Sequence, residues 1–195
     1  MKQILQPSLF EEDLEIRYLL IVINPPKVIS EYVSGLKDEI VQTYGSFDSA
    51  FSIPHITVCN FPILEQRIEK ILPQITERIS MVNSFTLTVS GFSSFVNASK
   101  KTFFMRVIGN DLYNNLKSEF KAINKEIIKT KRFSMTHKPH ITVAKSLNAE
   151  LFRKINSQYG SDRYEMEFEV NSLTVLKYIW QEKKYHKIEE INLTN

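Results

Sequence analysis

The chain has 195 residues, a formal net charge of +3, and a composition that is 43% hydrophobic and 24% charged. These values are typical of a globular domain and exclude a disordered, collagen-like or low-complexity chain. The single cysteine, Cys59, excludes an intrachain disulfide framework and a cysteine-based zinc cluster, and the small positive charge permits an anionic ligand without demanding nucleic acid.

The first half of the chain alternates predicted strands and helices. A continuous apolar run predicts a strand at 17–24 that is buried on both faces, and two prolines then open a helix over 26–44. A second strand is predicted at 54–60, followed by a helix over 65–80 that Pro73 should kink or restart. Alternating apolar and polar residues predict a half-buried strand at 85–90.

The second half follows the same order. Strands are predicted at 102–108 and 139–145, with an amphipathic helix over 111–130 between them that Asn110 caps. Asn148 caps a short helix that extends through Ile155. Alternation predicts a strand at 165–170, and the segments 173–179 and 184–191 are expected to form a final hairpin.

This order reflects an internal repeat. The pentapeptide Pro-His-Ile-Thr-Val occurs at 54–58 and again at 139–143, and the offset of 85 residues also relates the first strand and helix of the two halves. We therefore expect an α+β fold with two related halves, about 17–90 and 102–175, and a C-terminal hairpin that extends to 191. No linker rich in Gly, Ser or Pro separates them, so residues 1–195 should form one bilobal domain.

The repeated pentapeptide carries the residues best suited to chemistry. Side chains alternate between the faces of a strand, so His55 and Thr57 share one face, and His140 and Thr142 share another. A pseudo-twofold axis would bring these two faces together at one cleft. A single His-x-Thr is usually a packed histidine with a satisfied hydrogen bond. Packing does not explain two identical copies at matching places, although a duplication with two inert sites is the alternative.

Two opposed imidazoles are suited to phosphoester chemistry. One histidine can take a proton from the attacking oxygen while the other gives a proton to the leaving oxygen, because the unperturbed pKa of histidine is about 6.5. The hydroxyl groups of Thr57 and Thr142 could donate hydrogen bonds to the non-bridging phosphoryl oxygens, where charge accumulates in the transition state. This scheme uses no metal and no cofactor.

The sequence resembles the 2H phosphoesterase superfamily, and within it the 2′-5′ RNA ligase-like, RNA 2′,3′-cyclic phosphodiesterase group. The resemblance rests on His55-Ile56-Thr57 and His140-Ile141-Thr142, each preceded by proline, and covers most of the chain from Arg17 to the C-terminal hairpin. It implies a bilobal fold with antiparallel sheets lining a central cleft and helices outside. It also implies opening or transfer at cyclic phosphodiesters, with the histidines as acid and base and the threonines binding phosphate.

The resemblance leaves the substrate open among RNA ends, cyclic nucleotides, ADP-ribose cyclic phosphate and 2′-5′ oligonucleotides. The expected reaction is hydrolysis of a 2′,3′-cyclic phosphate to a 2′-phosphate, and the resemblance alone gives this product. The alternatives are 2′-5′ RNA ligation at the same site and a non-catalytic RNA- or nucleotide-binding module. The repeat makes His55 and His140 near-equivalents, so the sequence does not assign acid and base.

Two further residues are weaker candidates for substrate binding. Arg106 lies in the middle of a predicted strand and could point into the cleft to bind phosphate, although a surface or helix-packing role is the alternative. Phe61 is separated from His55 and Thr57 by even numbers of residues and could stack on a base, although a core position is equally compatible. Lys145 lies three residues after Thr142, so on a regular strand it faces away from His140.

No metal site is predicted, because His137 and His140 lie on opposite faces of an extended strand and few other soft ligands are present. The longest apolar run is far shorter than the roughly 20 residues that span a bilayer, and Glu11, Glu12 and Asp13 occupy the stretch where an export signal would be apolar. We therefore expect a cytoplasmic monomer with no membrane contact and no protein partner.

Overall fold

The computed structural model describes residues 15–97 and 100–194. Residues 1–14 lie outside the described residues, and they include Glu11, Glu12 and Asp13, on which the prediction of no export signal rests. In the described part, the strands and helices are β1 (Ile16–Ile23), α1 (Lys27–Tyr44), β2 (Ile56–Leu64), α2 (Glu65–Ser80), β3 (Phe85–Val96), β4 (Lys101–Ile108), α3 (Asp111–Ile123), β5 (Ser134–Met135), β6 (His140–Leu147), α4 (Ala149–Tyr159), β7 (Glu165–Val170), β8 (Ser172–Ile179) and β9 (Lys184–Asn192).

The predicted elements are all present, with differences at their ends. The strands β2 and β3 run four and six residues further than predicted, α4 extends to Tyr159, and the last turn of the third helix is a π-helical turn over Asn124–Ile128. The two predicted caps are confirmed. The Asn110 side chain accepts a hydrogen bond from the backbone N–H of Tyr113 at 3.0 Å, and the Asn148 side chain accepts one from Leu151 at 2.8 Å.

The expected restart at Pro73 does not occur, because α2 is a single helix from Glu65 to Ser80. Proline removes one backbone donor from the helix, and burial of one apolar stripe offsets this loss. The stripe consists of Ile68, Ile71, Ile75 and Ile79, which are buried on one side of α2. The short strand β5, which the sequence did not predict, pairs with β2 opposite Cys59 and Asn60.

The strands form one antiparallel sheet in the order β7-β3-β4-β6-β2-β1-β8-β9, with β5 attached to β2. Exchanging β1 with β4, β2 with β6, and β3 with β8 reproduces the inner six strands in reverse order. The α+β class and the duplicated antiparallel architecture are therefore confirmed. The strands of the two halves are joined through β2 and β6, where the structure pairs one residue from each strand, Ile56 and Ile141.

The helices cover one face of this sheet. The apolar residues of the two motifs, Ile56 with Val58 and Ile141 with Val143, belong to the same buried core as the inward stripes of the helices. The opposite face near the β2–β6 junction carries the histidines and threonines, which are only half-buried. We call this second face, on β3, β4, β6, β2, β1, β8 and β9, the motif face.

Candidate active site

The two His-x-Thr motifs lie side by side at the centre of the sheet. Because Ile56 is opposite Ile141 in an antiparallel pair, the flanking residues bring His55 towards Thr142 and Thr57 towards His140 on the motif face. The two imidazoles are close enough that a charge on His140 lowers the pKa of His55. The structure therefore brings together the four residues that the sequence singled out.

Both imidazoles are held in the same orientation by the same local contact. The Nδ1–H of His55 donates to the carbonyl oxygen of Ile53 at 2.8 Å, and the Nδ1–H of His140 donates to that of Lys138, also at 2.8 Å. A carbonyl oxygen can only accept, so Nδ1 must carry the hydrogen in each ring. In the neutral form, Nε2 then carries the lone pair, and in the charged form Nε2 carries the proton that can be transferred.

Burial lowers the pKa of both histidines from the ordinary value of 6.5. The hydrogen bonds to the backbone carbonyls act in the opposite direction, because they stabilise the charged ring. For His55, the positive charges of Lys37 and Lys145 lower the pKa further. The cost of burying a charge dominates at both rings, and each imidazole is therefore mostly neutral at pH 7.

Each motif is followed by a β-bulge at the same valine. In the pairing of β1 with β2, Ile21 is opposite Cys59 and Val22 is opposite Thr57, which leaves Val58 without an opposite residue. In the pairing of β4 with β6, Phe103 is opposite Ala144 and Phe104 is opposite Thr142, which leaves Val143 in the same position. A bulge shifts the alternation of side chains by one residue, so the residues that come directly after it exchange faces.

The first bulge corrects the prediction for Phe61. After the shift, the side chain of Phe61 points into the core, where it is fully buried and stacks on Phe133 with the ring centroids 5.8 Å apart. A base cannot reach this ring, so the predicted stacking role of Phe61 is wrong. Asn60 and Pro62 occupy the motif face in its place.

The second bulge has the opposite effect on Lys145. A regular strand would turn Lys145 away from His140, but the shift after Val143 places this exposed side chain on the motif face, near enough to His55 to lower its pKa. The sequence did not predict this position of Lys145, because nothing in the residue types marks the bulge.

The predicted phosphate-binding residue Arg106 lies directly opposite His140 on β4, and its side chain is exposed on the motif face. Its Nε donates to the carbonyl oxygen of Ser90 at 2.9 Å, and one terminal nitrogen lies 3.3 Å from the Ser90 hydroxyl. The guanidinium is therefore held beside the second motif by β3. Its role in phosphate binding remains a prediction.

The surroundings of the two histidines differ. His140 packs between two aromatic rings, with centroid distances of 4.9 Å to Phe104 and 5.0 Å to Phe95, and the two phenylalanines contact each other at 4.4 Å. His55 instead follows a loop with two exposed apolar side chains, Phe51 and Ile53. The pseudo-symmetry of the backbone therefore does not extend to the side chains around the two rings.

A buried lysine fastens the loop that precedes His55. The ammonium group of Lys37 donates to the carbonyl oxygens of Ser49 and Ser52 at 3.1 and 2.6 Å and to the hydroxyl of Ser52 at 2.9 Å. Burial lowers the pKa of Lys37 to about 8. The hydroxyl of Ser49 in turn donates to the carbonyl oxygen of Val143 and accepts from the backbone N–H of Lys145, both at 3.1 Å. This network ties the loop before the first motif to the strand that carries the second.

Within residues 15–97 and 100–194, no three His, Cys, Asp or Glu side chains are grouped so that they could hold a metal ion. In the same part of the chain, none of the helices has both the length and the apolar character needed to cross a membrane.

Comparisons with known proteins show the family of the chain. The family model of the 2′-5′ RNA ligase superfamily matches residues 25–180, and the chain belongs to this superfamily of 2H phosphoesterases. No curated protein matches the sequence.

Solved structures share the fold at low sequence identity. Escherichia coli LigT, in a crystal structure with 3′-AMP, is 16% identical with a TM-score of 0.66, and the match covers 93% of this chain and 99% of that one. TT0787 of Thermus thermophilus is 13% identical with a TM-score of 0.63, over 90% and 97% of the two chains. Usb1 of Kluyveromyces marxianus is 15% identical with a TM-score of 0.55, over 92% and 99%.

Proposed function

We propose that the protein is a metal-independent phosphodiesterase that hydrolyses a 2′,3′-cyclic phosphate on RNA or a nucleotide to a 2′-phosphate. The observation that carries this proposal is the pair of imidazoles on one sheet face, each fixed by the same Nδ1–H to carbonyl bond. With Nδ1 bound to a carbonyl in each ring, the two Nε2 atoms are left to accept a proton and to donate one.

In the proposed reaction, the Nε2 of one neutral histidine takes a proton from water as the water oxygen forms a bond to phosphorus. The bond from phosphorus to the 3′ oxygen breaks, and this oxygen receives the proton from Nε2 of the other, charged histidine. The hydroxyl groups of Thr57 and Thr142 donate to the non-bridging oxygens. One histidine gains a proton and the other loses one, so the pair must exchange protons with solvent before the next turnover.

The charges on the motif face favour an anionic substrate. Lys145 lies beside His55, and Arg106 lies opposite His140, so each end of the histidine pair has a cation near it. Both side chains are exposed, so a phosphate can reach them. The crystal structures of Escherichia coli LigT with 3′-AMP, ATP and NADP+ show nucleotides bound to a protein of this fold, which supports a nucleotide or RNA end as the substrate class.

The test is turnover of a 2′,3′-cyclic mononucleotide and of a short RNA with a 2′,3′-cyclic phosphate, both in EDTA. We expect turnover by the wild type, and a loss of roughly 10²–10⁴ in kcat for His55→Ala and for His140→Ala. His186→Ala is the matched control, because His186 is an exposed histidine on β9 whose Nε2 pairs with Glu182. It should retain full activity.

A requirement for a divalent ion, or full activity in either motif variant, would contradict the two-histidine mechanism. Binding of the substrates without turnover by the wild type would favour the binding module over the enzyme. Joined 2′-5′ products at high RNA concentration would identify ligation at the same site.

A further inference from the structure

Four aromatic side chains cluster on the motif face at a distance from the histidines. Trp180 contacts Tyr18 and Tyr178 edge to face, with centroid distances of 6.1 and 4.9 Å, and Tyr178 contacts Tyr185 in the same way at 5.1 Å. We call this group, Tyr18, Tyr178, Trp180 and Tyr185, the aromatic patch. The proposed catalytic scheme uses none of these residues.

The sheet register shows that the aromatic patch and the catalytic motifs share a face. Thr57 is opposite Val22 on β1, and Tyr18 lies four residues from Val22 on the same side of that strand. Leu20, between them, is opposite Leu176 on β8, which places Tyr178 beside Tyr18. Tyr178 is in turn opposite Tyr185 on β9. Half-buried Asn60 and Pro62 on β2 continue the same surface from Thr57 towards the patch.

This register also gives the distance along the sheet between the catalytic motifs and the aromatic patch. Four residues of β-strand span about 14 Å at a rise of ~3.4 Å per residue. A single nucleotide with its phosphate at the histidines does not reach the patch. A strand with bases stacked at ~3.4 Å covers this distance with about four nucleotides, and a more extended strand needs fewer.

Two rings of the aromatic patch are exposed to solvent. The side chain of Trp180 is 51% exposed and that of Tyr185 is 43% exposed. The edge-to-face contacts brace the rings against one another and leave ring surface open to solvent. Lys183 is exposed in the turn that joins β8 and β9, between Trp180 and Tyr185. Aromatic rings with adjacent cations are the combination that binds unpaired nucleic-acid strands, because every base presents an apolar face and every linkage a negative charge.

We propose that the aromatic patch binds unpaired bases of a single-stranded RNA whose 3′-terminal cyclic phosphate occupies the histidine pair. This inference rests on the proposed function and deepens it, because it makes an RNA strand of several nucleotides the preferred substrate over a mononucleotide. In this proposal, the RNA strand lies along β1 and β2 and crosses Leu20 and Asn60. A duplex does not fit this role, since its base faces are already stacked on one another.

The kinetic test compares a 2′,3′-cyclic mononucleotide with a six-nucleotide RNA that ends in a 2′,3′-cyclic phosphate. We expect the wild type to have a lower KM for the hexanucleotide, and Trp180→Ala and Tyr185→Ala each to raise that KM about tenfold. The same variants should leave kcat and KM for the mononucleotide unchanged. Trp180→Phe keeps an aromatic ring and should retain most of the preference. Met81→Ala, at an exposed apolar side chain at the end of α2, is the matched control. It should leave kcat and KM unchanged for both substrates.

A binding test separates this inference from the proposed function. Trp180 is the single tryptophan of the chain, so its fluorescence reports on the patch directly. Titration of His55→Ala with a six-nucleotide RNA carrying a 2′-phosphate should quench this fluorescence, and the mononucleotide should not. Quenching by RNA without turnover in the wild type would support the patch and contradict the proposed reaction.

Turnover with equal KM values for the two substrates, together with no quenching, would contradict RNA binding by the aromatic patch. It would leave the proposed reaction supported. A dimer in sedimentation experiments that Trp180→Ala abolishes would assign the patch to a second copy of the chain and would likewise overturn the proposal.

Discussion

Replacement of Phe104 by leucine tests whether the aromatic surroundings of His140 set its protonation. The ring of Phe104 is 3% exposed and contacts both His140 and Phe95. Its loss opens a cavity beside the imidazole that water can enter, and burial is the main cause of the lowered pKa of His140. We therefore expect the pKa of His140 to rise towards 6.5 in Phe104→Leu.

The neighbouring Phe103→Leu is a close control. Phe103 is fully buried on the opposite face of β4, where it stacks on Phe92 at 5.1 Å. Both substitutions remove a ring from a packed aromatic pair, so each should lower the free energy of unfolding by about 1–3 kcal/mol. Phe103 has no contact with the imidazole among these ring pairs, so only Phe104→Leu should move the titration.

The assay is NMR titration of the histidine ring protons, together with kcat/KM against pH and urea unfolding of both variants. A shift of the His140 titration in Phe104→Leu, with none in Phe103→Leu at equal loss of stability, is the expected result. Equal shifts in both variants would mean that the loss of stability common to both, and not contact with the Phe104 ring, changes the pKa of His140. No shift in Phe104→Leu would show that burial by this ring is not the cause of the lowered pKa.

Further predictions concern the rest of the site. The profile of kcat/KM against pH should be bell-shaped with its maximum below pH 6.5, because burial lowers the pKa of both histidines, and a maximum above pH 7 would contradict this. Since the unfolded chain takes up protons at His55 and His140 near pH 6.5 and the folded chain only at lower pH, the free energy of unfolding should fall as pH drops through 6.5, and urea unfolding at several pH values measures this. Thr57→Val keeps the shape of the side chain and removes its hydroxyl, so kcat should fall roughly 10²-fold with the melting temperature unchanged. Lys145→Gln removes a charge that lowers the pKa of His55, so the titration of His55 by NMR should move upward and the KM should rise. Lys37→Met removes the charged donor to the carbonyl oxygen of Ser52 and should cost about 1–3 kcal/mol in urea unfolding.

The sequence predicted the order of the elements and the convergence of the two motifs, because hydrophobic periodicity and an identical pentapeptide are written directly in the residues. It did not predict the positions of side chains beyond the motifs. The bulges at Val58 and Val143 exchange the faces of the residues that follow, so Phe61 is in the core and Lys145 is on the motif face. Valine is ordinary in a strand, and its residue type carries no sign of a bulge.

The repeat offset was also informative only in part. The offset of 85 residues relates the two motifs and matches the bounds of β1 and β4. The ladder pairs Ile23 with Ile56 and Met105 with Ile141, so structurally equivalent residues of β1 and β4 differ by 82. Arg106 therefore corresponds to Asn24, whose amide donates to the hydroxyl of Thr174 at 2.8 Å, and the two ends of the site are chemically unequal.

The hydrogen bonds of Ser49 have a consequence for motion in the site. Its hydroxyl joins the loop before His55 to the backbone of β6 on both sides of Ala144. Lys37 donates a hydrogen bond to the carbonyl oxygen of Ser49 in the same loop. A fluctuation that lifts this loop must therefore also pull on the strand that carries His140. We therefore expect the two imidazoles to move together, so that their separation changes little while the surrounding surface fluctuates. Through these hydrogen bonds, the junction between the two halves would fix the distance over which the protons are transferred.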